Sequence, residues 1–316
     1  MDPREKEYRS MSKRLGVVLV LFLVLFFVRS LVQVGFGLLQ LFLDPVPYDT
    51  AYQLLGGVLY ALCFLIPELV FQPKSFGERV EPILFEAKLP RRTLCYLFAG
   101  LAVLITASAI NTYLLSFFDY SSFTEEFFVP IETSTPRQIV LQVLTVAVIP
   151  AFVEELLFRG VILSNLLPYG RTSALVASAV LFGLMHQNAG QLFFATVAGL
   201  VFGILYLKLR TIWAPVLLHF INNFYAVFSQ VLAERLPADR VDLMLMILQT
   251  AIFAAGLVSF IYLFCHEKGG TVIEKPILSV SPKRRFRLFC SVPMVIFCAL
   301  CVVQIVLYLV LAIVLY

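Results

Sequence analysis

The sequence predicts an all-α protein, a polytopic transmembrane helical bundle of about eight to nine spans. Composition is the first observation behind that prediction. Of 316 residues, 60% are hydrophobic and 14% charged, and the mean hydropathy is +0.92. A soluble domain carries about a quarter of charged residues and would have nowhere to bury so much Leu, Val and Phe. Apolar runs of about 20 residues, the length that crosses a hydrocarbon core as helix, recur from end to end. Basic residues gather in alternate connecting segments, the pattern of a chain whose every second loop is cytoplasmic.

The first apolar run covers 15–43 and follows Lys13 and Arg14. No small-residue cleavage site ends it after a short core, so it reads as a retained span and not as a secretory signal. Further runs lie near 54–71, 93–118, 136–157, 173–188, 191–207, 212–232, 242–265 and 288–316. The second and fifth are short for a full crossing, which leaves the count between eight and nine. No internal repeat is visible. The runs divide into an N-terminal three-span region, 1–135, a central region, 136–232, and C-terminal spans, 233–316.

Basic residues set the expected orientation. Arg4, Lys6, Arg9, Lys13 and Arg14 precede the first run, and Lys74, Arg79, Lys88, Arg91 and Arg92 follow the second. Arg171, then Lys208 and Arg210, then Lys268, Lys275, Lys283, Arg284, Arg285 and Arg287 mark later loops on the same side. The intervening segments, 44–50 and the acidic 119–132, are nearly free of Lys and Arg. The N-terminus is therefore expected in the cytoplasm and, with nine spans, the C-terminus outside.

The net charge of +4 is spread over these loops and forms no single basic face, so no nucleic-acid partner is expected; membrane lipid is. Cys63, Cys95, Cys265, Cys290, Cys298 and Cys301 sit in or at the ends of apolar runs and read as small buried hydrophobes. Cys298 and Cys301 form a CxxC with no second pair, which suits neither a zinc knuckle nor a disulfide framework.

Ionisable groups inside spans are expensive and mark function by default. Here they cluster. Pro150-Ala-Phe-Val-Glu154-Glu155-Leu-Leu-Phe-Arg159-Gly160 carries two acids and a base, the next run contains Phe182-Gly-Leu-Met-His186, and a later one His219-Phe-Ile-Asn222-Asn223. Of three histidines in the chain, two fall in these motifs. In straight α-helices Glu154 would lie about 20 Å from the turn at Pro168-Tyr169-Gly170, and His186 roughly 21 Å from Thr172. His219 and Asn223 would lie about 12 and 18 Å from Thr211, so all four can meet at one depth.

Helix spacing separates the two glutamates. Glu155 and Arg159 stand at i and i+4 with the acid first, the favourable order for a pair. Glu154 points about 100° away, without that partner, and is the candidate general base. Asn223 lies one turn beyond His219 on the same face, so the two can direct donors at one developing negative charge.

These motifs, Glu154-Glu155-x-x-x-Arg159, Phe182-x-x-x-His186 and His219-x-x-x-Asn223, resemble those of the CAAX-prenyl-protease and bacteriocin-processing (CPBP, or Abi) intramembrane endopeptidases. All three match in order, and the resemblance covers roughly 136–232, making that region a catalytic core in spans 4–7. It implies a glutamate-dependent endopeptidase in which Glu154 activates water, assisted by His186, while His219 and Asn223 stabilise the oxyanion. Glu155, Arg159 and Phe182 would be supporting residues. The implied substrates are peptides or membrane proteins, including lipidated, CAAX-like chain ends, and the implied location is an integral position in a bacterial plasma membrane. No cofactor is expected. The soluble HExxH pattern is absent, with zinc as the lesser alternative because two His and a Glu can form a catalytic zinc set.

Blander readings stand beside these. The acids can serve structure by pairing with Arg159, the histidines can be interhelical hydrogen-bonding groups, and Asn222 can be interhelical glue. Arg29, near the middle of the first span, can snorkel, pair with an acid, or face the site. Lys283–Arg287 reads as a topology anchor or an anionic-lipid contact. A proton-coupled carrier is the rival activity, but paired repeats and interrupted helices at matching positions are not found. A catalytically silent membrane scaffold or immunity protein is the other rival.

Overall fold

The computed structural model describes residues 3–39, 45–71, 89–117, 135–266 and 282–315. The sequence-predicted basic positions Lys74, Arg79, Lys88, Lys268 and Lys275 and the acidic stretch 119–132 lie outside the described residues.

Helix α1 runs Pro3–Leu39, α2 Pro45–Phe71, α3 Thr93–Leu115, α4 Pro136–Tyr169 and α5 Arg171–Met185. Then follow α6 Ala189–Leu209, α7 Trp213–Arg235, α8 Ala238–His266, α9 Pro282–Phe289 and α10 Val292–Leu315. The described residues contain no strand, and eight of the helices are long and apolar enough to cross a membrane. The fold is a polytopic helical bundle. Many large apolar side chains, among them Phe27, Leu69, Phe264 and Val303, lie exposed on helix surfaces, as lipid-facing residues do.

Two boundaries differ from expectation. The second span is not short: its candidate membrane segment, Thr50–Phe71, has 22 residues and continues through Pro67. Only α5, with 15 residues and about 22 Å of length, falls short of a full crossing. The last run divides, because the basic α9 stops at Phe289 and α10 begins at Val292. The cysteines also differ among themselves, with Cys63 and Cys301 buried but Cys265 and Cys290 exposed.

With 37 residues, α1 is about 55 Å long, more than a bilayer's hydrocarbon core requires. Its first turns pack on other helix ends. Glu5 pairs with Arg284 at 2.8 Å, Ser12 meets Ser291 at 3.0 Å, and the rings of Tyr8 and Tyr169 lie 4.7 Å apart. The N-terminal basic segment is thus folded helix.

The central helix α4 is not uniform. Thr135 caps its start in a reciprocal capping box with Gln138, and Pro136 occupies the first turn. Two stretches, Val143–Val148 and Leu156–Leu163, are π-helical and flank an α-helical segment, Ile149–Glu155. A π turn holds more residues for its length, so Glu154 lies nearer the Leu167–Tyr169 turn than a straight α-helix would put it. The carbonyls of Phe158 and Arg159 accept hydrogen bonds from Ser178 (3.0 Å) and Ser164 (2.7 Å), which satisfies backbone groups in this irregular stretch. Gly170, at φ 138°, takes the chain from α4 into α5 through a conformation open mainly to glycine.

Helices α5 and α6 approach closely over small residues. A Cβ on Gly199 would stand 2.9 Å from the Ala179 Cα, so only glycine permits this distance. The contact draws α6 toward α4 and carries the Gly199 carbonyl to the buried charges described next.

Candidate active site

The segment Ile149–Glu155 holds Glu154 and Glu155 in the protein interior, 3% and 0% exposed, and Arg159 one turn on is 0% exposed. Buried charges must find partners. Arg159 Nη1 donates to Glu155 Oε1 at 2.9 Å, the i,i+4 pair the spacing predicts. Arg159 Nη2 donates to the Gly199 carbonyl at 2.8 Å. The guanidinium lies over the rings of Phe182 and Phe202, 4.7 and 5.3 Å from their centroids. Phe182 is therefore a hub: its ring also packs edge-on to Phe158, His186 and His219.

From α7, His219 enters between the two glutamates. Its ring stacks on Phe202 at 4.9 Å, its Nδ1 lies 3.1 Å from Glu155 Oε1, and its Nε2 lies 4.0 Å from Glu154 Oε2. Because Glu155 already accepts from Arg159, its carboxylate calls for a proton on Nδ1, and that orients the ring.

Glu154 has a partner the sequence does not announce. The Tyr60 hydroxyl, on α2, donates to Glu154 Oε1 at 2.5 Å, while Oε2 has no hydrogen-bond partner among the described residues. The expectation of an unpaired carboxylate thus holds for Oε2 only. No spacing signal links Tyr60 to Glu154, and a tyrosine in an apolar run reads as packing.

His186 closes α5, its Nδ1 within 2.8 Å of the Phe182 carbonyl. Among the described residues no hydrogen bond or ion pair joins it to Glu154; what it shares with His219 is the Phe182 ring. The following residue, Gln187, has φ 52°, and Asn188 caps α6 by accepting from the Gly190 N–H.

Asn223 reaches α4. Its Nδ2 donates to the Val146 carbonyl at 3.0 Å, and its Oδ1 accepts from Asn222. Val146 lies in the π-helical stretch Val143–Val148, and Pro150, four residues on, has no N–H to offer its carbonyl. One of Asn223's two amide hydrogens is committed to that carbonyl.

Among the described residues, no three His, Cys, Asp or Glu side chains are arranged to hold a metal ion. The chemistry of the set explains this: Glu155 is occupied by Arg159, and His219 turns one nitrogen to Glu155.

Residues 136–225 match the family model described as "Type II CAAX prenyl endopeptidase Rce1-like". This match supports the resemblance of the central region to the CPBP family. A Bacillus subtilis (strain 168) protein named "Putative membrane peptidase YdiL" is 30% identical over 93 residues, which is 28% of this chain and 37% of the relative. The chain thus aligns with little more than a third of that relative's length. No solved structure matches. The matched residues take in Glu154, Glu155, Arg159, Phe182, His186, His219 and Asn223, whereas Tyr60 and Arg29 lie outside them.

Proposed function

We propose that the protein is an intramembrane endopeptidase in which Glu154 activates the attacking water. One observation carries the reading. Tyr60 holds one oxygen of a buried carboxylate, and the other stands unpartnered 4.0 Å from His219 Nε2. Atoms that far apart do not bond one another, but a single water can bond both.

The formal charges of Glu154, Glu155 and Arg159 sum to −1, and a proton on both ring nitrogens of His219 brings the four groups to zero. In that form Nδ1–H is held by Glu155 and Nε2–H points into the site. Glu154 Oε2 takes a proton from water as the oxygen attacks the scissile carbonyl. The oxyanion so formed accepts from His219 Nε2–H and from the remaining Asn223 N–H, donors set in place before reaction. Glu154 then returns its proton to the departing amine, and the C–N bond breaks. His186, beside the shared Phe182 ring, assists in placing the water. Glu155 and Arg159 position His219.

The substrates proposed are membrane-associated or lipidated, CAAX-like proteins or small peptides, and the mechanism is proposed to run without zinc. The N-terminus is proposed to face the cytoplasm of a bacterial cell, with membrane lipid around the bundle.

Purified protein in detergent, offered a library of membrane-associated and lipidated peptides with and without a strong chelator, tests this. Wild type should cleave, and Glu154→Gln should lose about 10²- to 10⁴-fold in rate. Chelation should change nothing. Full activity in Glu154→Gln would overturn the role of Glu154, and loss on chelation would overturn the metal-free mechanism.

A further inference from the structure

Arg29 stands fifteen residues beyond Arg14 in α1, about 22 Å of helix from the basic end of that span. A cation at this depth needs compensation. Among the described residues no carboxylate pairs with it, and its Nε has no hydrogen-bond partner. Its guanidinium lies instead over two aromatic faces, 5.2 Å from the centroids of Phe26 and of Tyr60. An aliphatic side chain would fill the same α1–α2 contact without desolvating a charge. Packing therefore does not account for an arginine here.

Tyr60 is also the residue whose hydroxyl donates to Glu154 Oε1. A cation on the face of a phenol draws electron density from the ring and its oxygen, which makes the O–H a stronger donor. Three helices thus form one line, Arg29 on α1, Tyr60 on α2 and Glu154 on α4.

We infer that Arg29 is a positioning residue for Glu154, acting through the Tyr60 ring to strengthen the hydrogen bond that fixes Oε1 and leaves Oε2 for water. The inference rests on the reading of Glu154 as the base. It assigns to α1 and α2, which lie outside the matched residues, a part in the chemistry of α4.

The test compares wild type, Arg29→Gln, Arg29→Lys and Tyr60→Phe, all purified in nanodiscs. Ultraviolet resonance Raman difference spectra against Tyr60→Phe isolate the Tyr60 hydroxyl, whose bands report donor strength whether or not a substrate is known. Arg29→Gln should shift those bands toward a weaker donor, and Arg29→Lys should keep them near wild type. With a cleavable peptide, Arg29→Gln should lower kcat about tenfold with KM nearly unchanged, and Arg29→Lys should recover most of it. Tyr60 bands in folded Arg29→Gln identical to wild type would overturn the inference, as would a loss confined to KM. A wild type that cleaves nothing counts against the peptidase reading, and the Raman comparison still decides for Arg29.

Discussion

Tyr60 and Glu154, ninety-four residues apart on different helices, share a part-buried hydrogen bond of 2.5 Å. The bond joins the N-terminal spans to the central region matched by the family model, at its candidate base. It also leaves that base with one oxygen fixed and one open.

Replacing Tyr60 with Phe removes the donor and keeps the ring. Glu154 then has both oxygens buried without partners, and about 1–3 kcal/mol of stability should be lost. Peptide cleavage should fall about 10- to 100-fold. Thermal unfolding in detergent and a rate assay on the same preparation check both. Unchanged rates would remove Tyr60 from the site.

The Glu155–Arg159 pair has no access to solvent, so breaking it leaves a charge stranded. Glu155→Gln should cost about 3–5 kcal/mol, and so should Arg159→Met. The double variant should be less damaged than the sum of the two. A double-mutant cycle by denaturation measures this coupling, and strict additivity would mean the pair is not the partner that matters.

Asn223 raises a question of role, because its amide both bonds Val146 and is proposed to face the oxyanion. Asn223→Ala should reduce stability by about 1 kcal/mol and activity about 100-fold. Adding Pro150→Ala offers the Val146 carbonyl an N–H four residues on. The double variant should regain stability but not activity. If activity returns as well, Asn223 serves the helix and not the reaction.

The two histidines should respond unequally. His219 hydrogen-bonds Glu155 and lies 4.0 Å from Glu154, whereas His186 reaches the site only across Phe182. His219→Ala should cost at least about tenfold more in kcat than His186→Ala. A larger effect at His186 would show that it moves to the substrate in a way the resting arrangement does not display.

At Gly199 an added methyl meets the Ala179 backbone, so α6 must move away from α5 and carry its carbonyl from Arg159. Gly199→Ala should destabilise by about 1–3 kcal/mol. Gly35, whose Cβ position is open, is the control and should tolerate Ala far better. Equal melting temperatures for the two variants would count against the close contact.

Much of this protein follows from sequence alone. The abundance of apolar residues and the lengths of their runs determine helices in a membrane, because no other open structure satisfies the backbone there. The Glu155–Arg159 pair is legible because i,i+4 contacts belong to a single helix. The three motifs announce a shared site because ionisable groups in lipid have few other reasons to be there.

What the tertiary structure alone decides is which helix faces meet, and at what height. In a membrane every face of a helix is apolar, so hydropathy does not separate the face turned to protein from the face turned to lipid. Nothing in the spacing of residues 29, 60 and 154 says that α1, α2 and α4 bring Arg29, Tyr60 and Glu154 into line. The π-helical stretches of α4 likewise defeat a straight-helix estimate of depth, and the Val146 carbonyl finds a donor on α7. These contacts depend on the rotation and sliding of whole helices. Those are set by interlocking shapes such as Gly199 on Ala179, and a linear pattern of residues does not encode them.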